Sequence, residues 1–219
     1  MKIFENAIPE PSRTPLESFD KEVKRQGFYL AGGSGLALQI GHRISEDLDF
    51  FTPKDFKPEI LAQYLKTRFT YQETLVAYGT LYCTLNQIKV SFIYYEVPLV
   101  YPTFNFKDIE VADWRDILAE KFKTLSQRGS RKDFYDIYFT LSWSNLTIGN
   151  GVEVFKKRFR GTGINYYHIL KSLAFFEEAE QEPELILFKE VSWETVKSFF
   201  SNNLREFEKH LLKEEGSEK

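Results

Sequence analysis

The segment from Phe28 to Phe51 constrains the fold of this chain more than any other. It reads as a short strand (Phe28, Tyr29, Leu30), a glycine-rich turn (Gly32, Gly33, Ser34, Gly35), a short helix, and a second strand carrying Asp47 and Asp49. Residues two apart on a strand share a face, so Asp47 and Asp49 project together while Leu48 and Phe50 face the other way. Adjacent carboxylates repel unless a cation lies between them. Glycine lets backbone N–H groups approach a phosphate closely, and a helix starting at Ser34 or Gly35 would add its positive end. Taken singly, the turn reads as a phosphate cradle or as an ordinary strand-to-helix turn with Ser34 as N-cap. The acids read as a metal pair or as solvated carboxylates on an edge strand. Within one strand–helix–strand unit they point together to metal-assisted phosphoryl or nucleotidyl transfer.

Composition narrows the setting. The net charge of −3 argues against a generic nucleic-acid coat protein and leaves room for a locally basic channel. The single cysteine, Cys83, has no internal disulfide partner, and no zinc-like Cys/His cluster is present, which fits a reducing cytoplasm. Met1 to Asp20 lacks the pattern of a signal peptide, and no apolar run reaches membrane-spanning length, so no membrane association is expected.

The remaining pattern predicts an α+β chain with two domains. Met1 to Pro15 reads as a loose arm and Leu16 to Gly27 as a helix. A helix spans Ile60 to Phe69, followed by strands over Tyr71–Ala77, Thr80–Leu85 and Ile88–Tyr95. Prolines 98 and 102 mark a boundary, giving an α/β domain over 1–105 and a helical domain over 106–219. The helices expected there are Asp113–Arg128, Arg131–Trp143, Val152–Phe159, Asn165–Glu178 and Ser192–Lys213, with a frayed polar tail over Lys213–Lys219.

Several polar residues stand out. Arg43, four residues before Asp47, reads as a bidentate phosphate ligand or as a partner of Asp47 or Asp49, and His42 as a structural donor. Lys121 falls inside the apolar stripe of Trp114, Ile117, Leu118, Phe122 and Leu125. It either snorkels or finds an anion, such as a substrate phosphate. In the apolar helix from Arg131, Asp133 reads as part of a capping box with Ser130, and Asp136 as a partner of Arg128, Lys132 or substrate. Arg128, Arg131 and Lys132 form one basic cluster, and Lys156, Lys157, Arg158 and Arg160 a second that helix amphipathicity explains.

The blocks Gly32-Gly33-Ser34, Gly41-His42-Arg43-Ile44-Ser45, Asp47-Leu48-Asp49-Phe50-Phe51, Asp116 to Lys121, Gln127-Arg128-Gly129 and Lys132 to Tyr138 resemble the AbiEii/AbiGii toxin family. These are abortive-infection proteins of the polymerase-β-like nucleotidyltransferase superfamily. The resemblance implies a mixed-sheet α/β nucleotidyltransferase domain followed by an all-helical domain. It implies that Gly32, Gly33 and Ser34 hold nucleotide phosphates with Arg43 and Lys121, and that Asp47 and Asp49 hold Mg²⁺. Lys121 and Asp136 join them as catalytic residues. The reaction implied is nucleotide transfer from a nucleoside triphosphate to RNA, tRNA among it, or to protein, with a cognate antitoxin as a further partner. One departure matters: superfamily members carry a third carboxylate on a later strand, where this chain has Ser91. A hydroxyl is a weak metal ligand and a poor base. The alternative reading is a catalytically impaired nucleotide-binding or complex-forming homologue.

Overall fold

The computed structural model describes residues 2–19 and 21–213. The chain forms two compact units, Met1–Trp114 and Arg115–Lys219.

In the first unit, helices α1 (Glu10–Ser18), α2 (Lys21–Arg25), α3 (Gly32–Ile40) and α4 (Pro58–Lys66) accompany seven strands. These are β1 (Tyr29–Leu30), β2 (Leu48–Thr52), β3 (Tyr71–Ala77), β4 (Thr80–Leu85), β5 (Ile88–Tyr94), β6 (Phe104–Phe106) and β7 (Ile109–Val111). Among the described residues they form one mixed sheet ordered β3-β4-β5-β2-β1-β7-β6. Strand β2 runs antiparallel to β1 and parallel to β5, and β1 is parallel to β7. Along β2, Leu48, Phe50 and Thr52 are buried while Asp49 and Phe51 stay partly exposed. The apolar face packs Leu48, Phe50, Val90 and Phe92 against Leu16, Phe19, Leu61 and Leu65. Phe19 meets Phe50 edge-on at 5.3 Å, and Phe50 stacks on Phe92 at 5.2 Å. Each such buried ring contributes on the order of 2–3 kcal/mol.

The amino-terminal segment departs from the expected loose arm. Ala7 and Ile8 are fully buried. Phe4 N–H donates to the Leu38 carbonyl at 2.8 Å, and Ser45 N–H to the Ala7 carbonyl at 2.9 Å. Helix α1 follows, with Pro11 in its first turn, where a missing N–H costs little. The single helix expected over 16–27 is instead divided between α1 and α2.

The hairpin β6–β7 also lay outside the sequence expectation. Its turn residues Lys107 and Asp108 take φ of 48° and 65° without a glycine, which hides the turn signal. Through β7 the hairpin extends the sheet beyond β1, so the first unit runs past residue 105 to Trp114.

The second unit is helical: α5 (Trp114–Arg128), α6 (Arg131–Ser144), α7 (Ile148–Arg158), α8 (Tyr166–Ser172), α9 (Glu177–Glu180), α10 (Trp193–Asn202) and α11 (Leu204–Leu211). Its core contains the fully buried rings of Phe122, Phe134, Phe155, Phe200 and Phe207. The helices expected over 165–178 and 192–213 each divide in two, the second at Asn203. The tail beyond Lys213 lies outside the described residues.

Candidate active site

The glycine turn follows β1 directly. Helix α3 begins at Gly32, with φ of 58°, rather than at Ser34 or Gly35 as expected. A Cβ on Gly32 would collide with the Asp49 carboxylate. One on Gly33 would collide with the Arg43 guanidinium and lie 2.9 Å from Ser45 Oγ. Both glycines are therefore required by close approach, and Gly32 also by its backbone conformation. The turn, Asp49 and Arg43 are packed into one cluster.

Ser34 does not cap the helix. Its side chain is buried, and its hydroxyl bonds to the Asp47 carbonyl, with the Ser45 carbonyl at 3.4 Å. This ties α3 to the extended segment that presents the acids. Asp47 sits one residue before β2 and Asp49 within it; both are half-buried, on either side of the fully buried Leu48. Asp49 lies on the less buried face of β2, opposite Leu48 and Phe50. Arg43 is buried, and one of its terminal nitrogens donates to the Ile44 carbonyl at 3.0 Å. Ser45, to which the sequence reading assigned no role, flanks the same turn. Its signal was the every-second-residue spacing of Arg43, Ser45 and Asp47 along an extended segment.

Ser91 pairs in register with Asp49 across the parallel β2–β5 ladder. In-register residues of neighbouring strands present their side chains to the same face, so a hydroxyl stands beside Asp49. Among the described residues, no group of three or more His, Cys, Asp or Glu gathers to form a metal cage. Mg²⁺ does not need one: it is commonly held by one or two carboxylates together with substrate phosphates and water. Asp47 and Asp49 beside a glycine turn fit that donor set.

Lys121 belongs to the second unit, and its surroundings resolve the choice between snorkelling and anion binding. Its side chain is buried, with Nζ 2.8 Å from Asp133 Oδ1 and 2.6 Å from Asp136 Oδ2. Arg128 donates to both Asp133 oxygens, at 2.8 and 2.9 Å. Burial pushes the Asp133 carboxyl up, but the Lys121 charge and the Arg128 hydrogen bonds outweigh it and hold the pKa below the ordinary aspartate value. Asp133 is thus an ion-pair partner rather than part of a capping box. The start of α6 is satisfied by Glu182, whose carboxylate accepts from Ser130 Oγ and Arg131 N–H, each at 2.9 Å. Asp136 pairs with Lys121, a partner the sequence reading did not name.

Each of the two basic clusters is in part internal, while Lys157 and Arg160 stay exposed. Arg131 is buried, donating to the carbonyls of Ala179 and Glu180 at the end of α9. Arg158 is buried between Asp116 at 2.6 Å and Glu120 at 2.9 Å. Lys156 is buried as well and donates to the Lys213 carbonyl at 3.0 Å. Helix amphipathicity accounts for the exposed Lys157 and Arg160; internal ion pairs and carbonyl acceptors account for Arg131, Lys156 and Arg158. No helix among the described residues is long and apolar enough to cross a membrane.

Comparison with known proteins gives the fold and the family. A protein of unknown role from Aquifex aeolicus (strain VF5) is 34% identical over 190 residues, covering 82% of this chain and 87% of its own length. Among solved structures, MenT4, a nucleotidyltransferase toxin from Mycobacterium tuberculosis H37Rv, superposes with a TM-score of 0.58 at 15% identity. That match covers 94% of this chain and 84% of the toxin. A putative nucleotidyltransferase from H. pylori gives 0.55 at 14% identity, over 92% of this chain and 95% of its own. These similarities establish the α+β fold. Residues 16–211 match the family described as nucleotidyl transferase AbiEii toxin, type IV toxin–antitoxin system, and the chain belongs to that family.

Proposed function

We propose that the chain transfers a nucleotide from a nucleoside triphosphate to the end of an RNA acceptor, with Mg²⁺ held by Asp47 and Asp49. The observation that carries this reading is the packing of Asp49 against Gly32 and of Arg43 against Gly33. Phosphate oxygens arriving over the turn meet backbone N–H groups and a buried guanidinium that is already fixed in place. A bound Mg²⁺ would neutralise phosphate charge and draw the acids and the triphosphate together. The chain's own residues do the rest: the glycines admit the phosphates, Arg43 offsets their charge, and Ser34 holds the Asp47 segment to α3. A cognate antitoxin is the partner that the family description suggests.

In this reading Lys121 and Asp136 tie α5 to α6 within the helical unit. Lys121 already pairs with two buried carboxylates, so a triphosphate would gain from it by displacing a buried aspartate. A second reading, nucleotide binding with little turnover, draws on Ser91, a hydroxyl in register with Asp49 where the family resemblance leads one to expect a carboxylate. Titration calorimetry tests the shared part: Mg²⁺–triphosphate should bind the wild type and fail to bind Asp49→Asn with its fold intact. Equal binding by both proteins would remove Asp49 from the site.

A further inference from the structure

On the sheet face that carries Asp49, the next residue along β2 is Phe51, partly exposed. Its ring stacks on Tyr29 at 6.2 Å and meets Tyr95 edge-on at 5.6 Å. Tyr29 is in register with both Phe51 and Glu110, which places these three residues on one face across β2, β1 and β7. Beyond the aromatic row lies a cavity of about 270 Å³, lined by Tyr29, Pro53, Pro98, Leu99, Thr103 and Glu110 among others. A cavity of about 150 Å³ takes a benzene ring, so this one has room for a fused bicyclic ring. It opens to solvent, is walled largely by apolar groups, and carries one carboxylate, the exposed Glu110, which accepts from the Thr103 hydroxyl. The Lys54 side chain lies against Gly27, which lines the same cavity, and brings a cation to its edge.

We propose that this face is the track of a single-stranded acceptor, and that the cavity takes a guanine base a few nucleotides back from the reacting end. The proposal rests on the transferase reading above and names its acceptor. From Asp49 to Pro53 the strand advances roughly 13 Å, a span that a short run of nucleotides covers. Phe51 and Tyr95 offer the aromatic surfaces on which bases stack without regard to sequence. The carboxylate sets the choice of base. Guanine presents two adjacent N–H donors that one carboxylate accepts together, whereas uracil flanks its single N–H with carbonyl oxygens that a carboxylate repels.

The test is direct binding of guanosine and uridine 5′-monophosphates to the whole purified chain, in chelator and without triphosphate. Guanosine monophosphate should bind at least about tenfold more tightly than the uridine form, a difference that isothermal titration resolves easily. Leu99→Trp, which fills the cavity, should abolish that binding. Glu110→Gln, which keeps shape and removes charge, should erase the preference between bases. Asp49→Asn should leave the monophosphate affinity unchanged. Equal affinity for the two monophosphates, or indifference to both Leu99→Trp and Glu110→Gln, overturns the proposal. Guanosine monophosphate binding that is lost in Asp49→Asn and kept in Leu99→Trp would move the ligand to the glycine turn. That outcome overturns the cavity assignment and leaves the transferase reading standing.

Discussion

Replacing Lys121 by methionine keeps most of the stem volume and removes one charge from the centre of a buried cluster. Before the change, Nζ lies within 2.8 Å of carboxylates on Asp133 and Asp136, and neither aspartate side chain is exposed to solvent. After it, Asp133 still has Arg128 as a two-point partner, but Asp136 loses this cation. Breaking a buried pair by removing one member costs about 3–5 kcal/mol, because the remaining charge is left without compensation. For a chain of this size each kcal/mol moves the melting temperature by about 2–4 °C, so Lys121→Met should melt roughly 10 °C lower. Removing both charges restores the balance. The double variant Lys121→Met/Asp136→Leu should recover most of the loss, since a neutral, packed replacement of a buried pair is often nearly neutral in stability. Thermal and urea melts of the wild type, the single variant and the double variant are the assay. A neutral or stabilised Lys121→Met would refute the argument, because that is the behaviour of a lysine that merely lays its stem along an apolar surface.

The Asp133 pKa has a consequence for pH. Its folded value lies below the ordinary one, so the stability it adds is present above the unfolded value of about 3.9 and is lost as pH falls through the folded value. Acid titration of stability should therefore show a smaller drop in Asp133→Asn than in the wild type. Gly32→Ala forces a Cβ against the Asp49 carboxylate at a φ of 58°, so it should both destabilise the chain by about 1–2 kcal/mol and weaken Mg²⁺–triphosphate binding measured by calorimetry. Burial, with the charge of Glu73 adding to it, pushes the Cys83 thiol up to about 12, so the folded protein should resist alkylation at pH 8 that the urea-unfolded chain undergoes readily. Ser91→Asp, restoring a carboxylate in register with Asp49, should raise nucleotide transfer in a labelling assay if the site otherwise works as proposed.

The strands of the first unit were legible because their determinants are local. Tyr71–Ala77 and Thr80–Leu85 match the expected spans, and Asn86 and Gln87, with φ of 49° and 72°, turn the chain from β4 into β5. Alternation also set Asp49 opposite the buried Leu48 and Phe50 on β2. What escaped depended on distant partners. The amino-terminal segment looked loose because prolines dominate it, yet its backbone bonds go to Leu38 and Ser45, far along the chain. The anomaly of Lys121 was visible as a cation in an apolar stripe. Its answer was not, because its partners lie on the following helix across the Gly129 turn, outside the reach of spacing rules within one helix. Arg158 shows the same limit: beside Lys156, Lys157 and Arg160 it reads as one more surface charge, and only tertiary packing brings it to Asp116 and Glu120.

The central claim is that the Gly32–Gly33 turn and Asp49 form a working nucleotide-transfer site. Incubating the purified chain with Mg²⁺, total cellular RNA and each labelled ribonucleoside triphosphate in turn tests it most directly. The account predicts that at least one triphosphate labels RNA, and that Asp49→Asn, folded and equally stable to heat, labels none. Label that persists undiminished in Asp49→Asn, or RNA left unlabelled by all of them in the wild type, would contradict it.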